Sequence, residues 1–187
     1  GFLAMLSISG LAKADYPEKP ITMVIPFGPG GSHDLNARVF TSIIPQYLGN
    51  AIIVKLVPGE SGQTGTAMVA QAKPDGYTLL FTHNYVDQLQ HHVKKLPYKP
   101  LKDFVTVARI NYAAACMIVL SKSKYKSVQD VFDTAKASGG KMKLGHSGMW
   151  GATMVPMAQL LSWGKVQANL TPYKGGGPMV KGLLSGD

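Results

Sequence analysis

The amino-acid sequence predicts an α/β protein with mainly parallel strands. Apolar runs of strand length alternate with segments of helical period, and this order is typical of strand–helix–strand units. Glycine-rich loops follow several of the strands. Hydrophobic residues make up 45% of the chain and charged residues 16%, which is the composition of a folded protein. At 187 residues the chain accommodates one large core or two small ones.

The first part of the chain contains three predicted strands. Ile21–Ile25 is the first, Ile52–Val54 begins the second, and Tyr77–Thr82 is the third because it is continuously apolar. A helix is predicted from about Ser32, and Pro45 should bend or end it. The predicted apolar face of this helix combines two rows of side chains, Leu35, Val39, Ile43 and Tyr47 in one and Phe40, Ile44 and Leu48 in the other.

Further elements connect the two halves of the chain. A second glycine-rich loop, Pro58–Gly65, leads into a small predicted helix, Thr66–Ala72. Strand-like runs recur at Val105–Ile110 and Met117–Leu120. In this region a first lobe is predicted to give way to a second.

The second half repeats the strand, loop and helix order. Ser127 is a predicted helix N-cap with Asp130 three residues on, and Gly139-Gly140 ends that helix. The elements that follow are a strand at Lys141–His146, a helix at Ala152–Trp163, a strand at Asn169–Tyr173 and a helix at Pro178–Leu184.

The first fourteen residues resemble the end of an export signal. Phe2–Leu11 is apolar but too short to cross a bilayer, which needs ~20 residues. Ala12-Lys13-Ala14 follows as a small-x-small cleavage site, so the mature chain is predicted to begin at Asp15. A buried amino-terminal helix is the alternative. No later segment is apolar over a sufficient length to span a membrane, and the sequence therefore predicts a soluble protein outside the cytoplasm.

The charge balance favours anionic small molecules as partners. Lysine and arginine outnumber aspartate and glutamate by 19 to 10, and they are scattered along the chain. This distribution indicates a general attraction for anions, or simply a solvated basic surface, and no nucleic-acid partner is expected. The single cysteine, Cys116, lies in an apolar stretch and is interpreted as a core residue.

Three glycine-rich strand-to-helix loops are the candidate binding elements. They are Phe27–Asp34, Ser147–Gly151 and Lys174–Pro178. Ligands of open parallel sheets bind beyond the carboxyl ends of the strands, where such loops lie. Glycine permits close backbone approach, and the free N–H groups at a helix start suit a carboxylate or phosphate. Each loop could instead serve only a tight turn.

The sequence does not match the motifs for nucleotide binding, metal binding or nucleophilic catalysis. His33 occupies the third glycine position of the dinucleotide pattern that Gly28 begins, and no loop ends in the Gly-Lys-Ser/Thr of a P-loop. The histidines lack metal-ligand spacing. Ser147 beside His146 makes no triad, because neighbouring strand residues point to opposite faces. We therefore expect no cofactor, no metal and no catalytic residue.

Several longer motifs are similar to those of one family. They are Tyr16–Ile21, Val24–Asp34 with Ala37-Arg38, Pro58-Gly59 with Gly62 and Gly65, Lys73–Leu80, Leu96–Tyr98 with Lys102–Phe104, Ser147-Gly148, and Pro172–Gly175. With these motifs in this order the sequence resembles the tripartite tricarboxylate transporter receptors, the Bug family of periplasmic solute-binding proteins. The resemblance spans nearly all of the mature chain.

The resemblance implies a two-lobed periplasmic-binding-protein fold of the Venus flytrap, type II-like kind. Residues 15–115 would form lobe 1 and residues 116–187 part of lobe 2, after the residual signal peptide at 1–14. Chains of the family continue for roughly another hundred residues, about one more domain. The carboxy-terminal part of the fold is therefore expected to be missing.

The resemblance also implies the ligand, the partners and the site. A small carboxylate, namely a di- or tricarboxylate, an amino acid or an aromatic acid, would be captured in the periplasm for the membrane subunits of a tripartite transporter. His83 and Trp150 stand where the family has small or polar residues and would reshape the pocket. The expected ligand-binding residues are Phe27, Gly30, Gly31, Ser32, His33, Asp34, His83, Ser147, Gly148, Trp150, Lys174 and Gly175. The alternatives are an α/β enzyme acting on an anionic small molecule and a non-functional fragment of the receptor.

Overall fold

A computed structural model describes residues 16–83 and 90–187. The predicted export signal at residues 1–14 lies outside the described residues. Within them the α/β fold class is confirmed, because two separate parallel sheets alternate with helices along the chain.

The first sheet has three parallel strands, β1 (Ile21–Ile25), β2 (Ile52–Leu56) and β3 (Thr78–Leu80). Their order is β2-β1-β3, so the first strand of the chain is central. It is the most buried strand because it is covered on both faces, which explains its uninterrupted apolar sequence. Since all three strands are parallel, their carboxyl ends lie at one edge of the sheet.

Among the described residues, four helices accompany this sheet. They are α1 (Ser32–Ile43), α2 (Pro45–Leu48), α3 (Gln63–Ala70) and α4 (Gln90–Val93), with a 3-10 turn at Glu60–Gly62 before α3. The predicted effect of Pro45 is confirmed, because α1 ends just before this proline. Proline has no N–H to donate and its ring crowds the preceding turn.

The prediction for the apolar face of α1 and α2 is confirmed for one of its two rows of side chains. Phe40, Ile44 and Leu48 pack against the core of the first sheet, beside the fully buried Ala37. The other row is exposed, and Val39, for example, keeps 64% of its surface accessible. The two rows lie side by side around the helix axis, and among the described residues only the row that faces the sheet finds a packing partner.

The second sheet pairs β4 (Lys143–His146) with β5 (Asn169–Pro172) in parallel. Its helices are α5 (Val128–Ala137), α6 (Met154–Trp163) and α7 (Gly176–Ser185). Each element lies within a few residues of its predicted position. A second hydrophobic cluster forms here around Val131, Phe132, Ala135, Leu144, Leu161 and Val166.

The connection between the two sheets differs from the prediction. Val105–Ile110 and Met117–Leu120 were expected to be strands, but neither run is paired with any described strand. Val105 and Tyr112 are almost fully exposed, and Cys116, expected in a core, is exposed as well. Residues that favour strands stabilise a sheet where their side chains pack on a half-buried pleated surface. Among the described residues, no strand pairs with this segment, so its strand-like composition is not realised.

The two hydrophobic clusters draw on different parts of the chain. The buried residues of the first lie between 21 and 98, and those of the second between 131 and 166. A division into lobes at residues 115 and 116 stays a prediction. No helix among the described residues combines the length and the apolarity that a bilayer crossing requires.

The start of α5 allows a test of local stability. Ser127 Oγ accepts a hydrogen bond from the Asp130 N–H at 3.2 Å, and the Asp130 carboxylate accepts one from the Ser127 N–H at 2.8 Å, as the sequence predicted. We expect Ser127→Ala to lower the free energy of unfolding by about 1 kcal/mol in urea titrations. The exposed Ser42→Ala on α1 should change it by less than ~0.5 kcal/mol. Equal effects of the two substitutions would contradict a capping role.

Candidate functional site

Four loops from the carboxyl ends of the strands form the candidate site. The first loop (residues 26–31) follows β1, and the second loop (residues 57–62) follows β2. The third loop (residues 147–153) follows β4, and the fourth loop (residues 173–175) follows β5. Loops of the two sheets lie in direct contact, so the site combines both sheets.

The first and fourth loops touch through their backbones. The Gly28 N–H donates a hydrogen bond to the Lys174 carbonyl oxygen at 3.2 Å. A Cβ atom placed on Gly177 would lie only 2.5 Å from the Pro29 carbonyl oxygen. Glycine at this position is therefore a steric requirement of the close approach.

The contact brings the starts of α1 and α7 together. The N-cap residues are Gly31 and Gly175, and neither provides a side-chain hydrogen bond to its helix. A Cβ atom on Gly31 would lie 3.3 Å from the backbone nitrogen of Gly177, so the first turns of the two helices are neighbours. Free N–H groups and aligned peptide dipoles at both helix starts favour an anion beside them.

Asp34 stabilises the first loop. Its buried carboxylate accepts a hydrogen bond from the Gly30 N–H at 2.9 Å and one from Arg38 Nε at 2.7 Å. The arginine is one helical turn further along α1 and balances the negative charge. The negative charge of Asp34 is therefore compensated, and it does not repel a carboxylate ligand at the helix start.

A cavity of about 260 Å³ lies between the loops. Four of the residues expected in the site line this cavity, namely Phe27, Ser147, Gly148 and Lys174. Residues 58–62 of the second loop also line it, although the sequence analysis did not include them in the site. The sequence contained a signal for these residues, because this loop is also rich in glycine and follows a parallel strand.

Two of the expected residues, His33 and His83, lie in an aromatic cluster beside the first loop. The ring centroid of Phe27 is 4.6 Å from that of His33 and 5.1 Å from that of His83, and the two imidazoles are 5.0 Å apart. Burial lowers the pKa of each imidazole to about 4, and for His83 the proximity of His33 contributes as well. Both rings are therefore neutral at neutral pH, and the cluster is an uncharged wall next to the helix starts.

The remaining expected residues lie at different places. Ser32 is the first residue of α1, where its Oγ is 3.5 Å from His33 Nδ1. Trp150 has a positive φ of 56° and lines another cavity, of about 540 Å³, along α6 with Met154 and Trp163. That larger cavity is an open apolar groove that only the third of the four loops reaches, so we place the candidate site in the smaller one.

Among the described residues, Ser147 and His146 do not form a nucleophile–base pair, and no metal-binding group is found. Ser147 Oγ is hydrogen-bonded to Thr153 Oγ1 at 2.8 Å. The neighbouring His146 is fully buried, and its Nδ1 accepts from the Gly148 N–H at 3.3 Å, so this imidazole does not activate the serine. Within residues 16–83 and 90–187, no three histidine, cysteine, aspartate or glutamate side chains are grouped to hold a metal ion.

Parallel sheets whose glycine loops meet around a small cavity define an α/β ligand-binding protein. Residues 36–187 match the family model described as Tripartite tricarboxylate transporter family receptor, and the chain belongs to this family. It is 33% identical to Protein BugT of Bordetella pertussis over 190 residues, which cover 99% of this chain and 58% of BugT. The chain thus spans little more than half the length of this relative.

Solved structures show the same fold. MatC from Rhodopseudomonas palustris, with bound malate, superimposes with a TM-score of 0.81 at 26% identity over 91% of this chain and 58% of MatC. The periplasmic binding protein BugD gives a TM-score of 0.74 at 26% identity, over 91% of this chain and 57% of BugD. The expected fold family is thereby confirmed.

The half-buried His33 and His83 predict a loss of stability in mild acid. Their folded-state pKa of about 4 lies below the unfolded value of 6.5, so the unfolded chain binds more protons as the pH falls from 6.5 towards 4. We expect the free energy of unfolding to drop by about 1 to 2 kcal/mol per histidine between pH 7.5 and pH 5. Urea titrations of the wild type and of His83→Phe, which keeps an aromatic ring against Phe27, should show a smaller drop in the variant. An unchanged drop would contradict the assignment of this proton uptake to His83.

Proposed function

We propose that the protein is a periplasmic receptor that captures a small carboxylate between two lobes and delivers it to the membrane subunits of a tripartite tricarboxylate-type transporter. The lobes are residues 15–115 and 116–187. The ligand-binding residues are those expected from the sequence, to which we add residues 58–62 of the second loop. Periplasmic location is supported by the family and by the small-x-small pattern that ends at Ala14.

The observation that carries the proposal is the meeting of two uncapped helix starts, α1 and α7, from different sheets. Each helix has at least ten residues, and its N–H groups and the positive end of its dipole lie where the two starts meet. An anion beside both starts would accept hydrogen bonds from both sheets. It would therefore hold the two lobes together, which is what a flytrap receptor requires of its ligand.

The size and the chemistry of the cavity support a small acid. At about 260 Å³ it is slightly below the ~300 to 1,000 Å³ of typical ligand pockets. Its wall contains a lysine, two serines and Glu60, whose carboxylate is paired with Lys94, but also the rings of Phe27 and Tyr173. A short organic anion matches this mixture better than an inorganic ion. The malate bound to MatC, a family-like fold at 26% identity, makes a dicarboxylate the first candidate.

The rival proposal of an α/β enzyme lacks a supporting contact among the described residues. Ser147, beside His146, is hydrogen-bonded to a threonine, and this histidine accepts from a backbone N–H. Ser32 Oγ lies 3.5 Å from Nδ1 of the adjacent His33, which is longer than the ~2.6 to 3.2 Å of an activated nucleophile and its base. General acid–base chemistry needs titratable groups that converge on a substrate position. In the aromatic cluster, the two imidazoles are instead neutral and packed against Phe27.

Calorimetry on the full-length gene product tests the proposal. We expect malate, succinate or another small carboxylate to bind with a Kd in the micromolar range or below, which corresponds to at least about 8 kcal/mol. ATP and NAD serve as controls and should not bind. Binding of a nucleotide without binding of any carboxylate in the panel would overturn the proposed function.

Adjacent glycines at the start of α7 provide a matched pair of variants. A Cβ atom at Gly177 would overlap the Pro29 carbonyl oxygen, whereas at Gly176 nothing lies within 4 Å. We expect Gly177→Ala to separate the first and fourth loops and to weaken carboxylate binding more than tenfold, or ~1.4 kcal/mol. Gly176→Ala should bind within about twofold of the wild type. Wild-type affinity in Gly177→Ala, with an unchanged melting curve, would show that ligand binding does not need this close approach.

A further inference from the structure

The second loop has an unusual backbone conformation. Four consecutive residues have positive φ angles, namely Gly59 at 146°, Glu60 at 48°, Ser61 at 56° and Gly62 at 98°. Glycine adopts such angles freely, but for glutamate and serine the Cβ atom makes the left-handed region unfavourable. Two such residues in succession persist only where the surrounding structure holds them.

The surrounding contacts hold this loop from both ends. The Val57 N–H donates to the Ile25 carbonyl oxygen at 2.8 Å, which ties the start of the loop to β1. Gln90 on α4 is 1% exposed, and its Nε2 donates to the Ser61 carbonyl oxygen at 3.0 Å. The buried Gln90 side chain therefore fixes the carbonyl group of Ser61. With the backbone fixed, the direction of the Ser61 Cα–Cβ bond is fixed as well.

Ser61 faces the opposite sheet. Its Oγ lies 3.1 Å from the position that a Cβ atom on Gly148 would occupy, so the second loop meets the third loop at this point. Ser61 lines the 260 Å³ cavity together with Ser147 and Lys174. Among the described residues, the Ser61 carbonyl is hydrogen-bonded but the hydroxyl is not. A strained residue thus presents an unused hydrogen-bond donor at the cavity wall.

We propose that Ser61 determines ligand specificity by binding a second carboxylate of the ligand. The first carboxylate would lie at the starts of α1 and α7, and the Ser61 hydroxyl, in the same cavity wall as Lys174, would donate a hydrogen bond to the second. The protein would then select dicarboxylates over monocarboxylates of equal length. This inference rests on the proposed function and adds to it a substrate class and the residue that selects it.

The backbone strain supports a role for the hydroxyl. Glycine would adopt the φ of Ser61 without cost, and it is present on both sides of the Glu60-Ser61 pair. Serine at this position lowers the stability of the folded protein relative to glycine, and the hydroxyl is the only functional group that it adds. Strained residues of this kind cluster at ligand-binding sites, where the surrounding structure maintains them for function.

The test compares two acids that share a four-carbon chain. Succinate and butyrate differ in the second carboxylate, so calorimetry of both with the full-length protein isolates the contribution of that group. We expect the wild type to bind succinate at least tenfold more tightly than butyrate. Ser61→Ala should weaken succinate binding about tenfold and leave butyrate binding within twofold, as for loss of one hydrogen bond to a charged group.

A second variant separates the hydroxyl from the backbone strain. Ser61→Gly removes the hydroxyl and also relieves the strain, so it should lose the preference for succinate while its melting temperature rises by about 2 to 4 °C. Ser42→Ala on α1, far from the loop in sequence and exposed, serves as the control and should keep the preference. A variant that melts higher yet discriminates less cannot be explained by misfolding.

The outcomes distinguish this inference from the proposed function. If wild-type protein binds neither succinate nor butyrate nor any other small carboxylate, both proposals fall. If it binds the two acids equally, or if Ser61→Ala weakens both to the same extent or neither, the assignment of Ser61 is overturned and the receptor function stands.

Discussion

The close backbone approach between the first loop and the start of α7 is the constraint on which the rest of the site depends. A Cβ atom at Gly28 would lie 2.8 Å from the Lys174 carbonyl oxygen, and one at Gly177 would lie 2.5 Å from the Pro29 carbonyl oxygen. These distances leave no room for any side chain. Because the two loops belong to different sheets, the absence of two side chains allows the sheets to meet at this edge.

The electrostatic character of the site follows from that approach. Helix starts are normally satisfied by side-chain caps or by water, but Gly31 and Gly175 have no side chain that could cap. The N–H groups of both helices therefore remain available to a ligand. Two carboxylates lie near the site and both are paired: Asp34 is bound to Gly30 and Arg38, and Glu60, in the cavity wall, is 3.4 Å from Lys94 Nζ. The backbone itself thus provides a positive site without a dedicated arginine or metal ion.

Neighbouring groups restrict what can occupy this site. Phe27 packs against the two neutral imidazoles of the aromatic cluster and separates one side of the first loop from water. The second loop lies on the other side, where Ser61 and Gly148 meet. Removing water strengthens hydrogen bonds from backbone N–H groups to an anion, because the local dielectric constant is lower. The aromatic cluster and the strained loop would therefore both strengthen binding at the proposed anion position.

The sequence by itself determined the strands that pair in the structure, the end of α1, the start of α5 and the family, because these depend on neighbouring residues. The apolar run of β1, the proline after α1 and the capping box at Ser127 are all local patterns, and the long glycine motifs are specific enough to identify the receptor family. Only the tertiary structure decided which apolar row of α1 is buried, that Val105–Ile110 has no strand partner, and that Ser61 faces Gly148. Each of these depends on residues distant in sequence, and neither periodicity nor composition contains information about which surfaces meet.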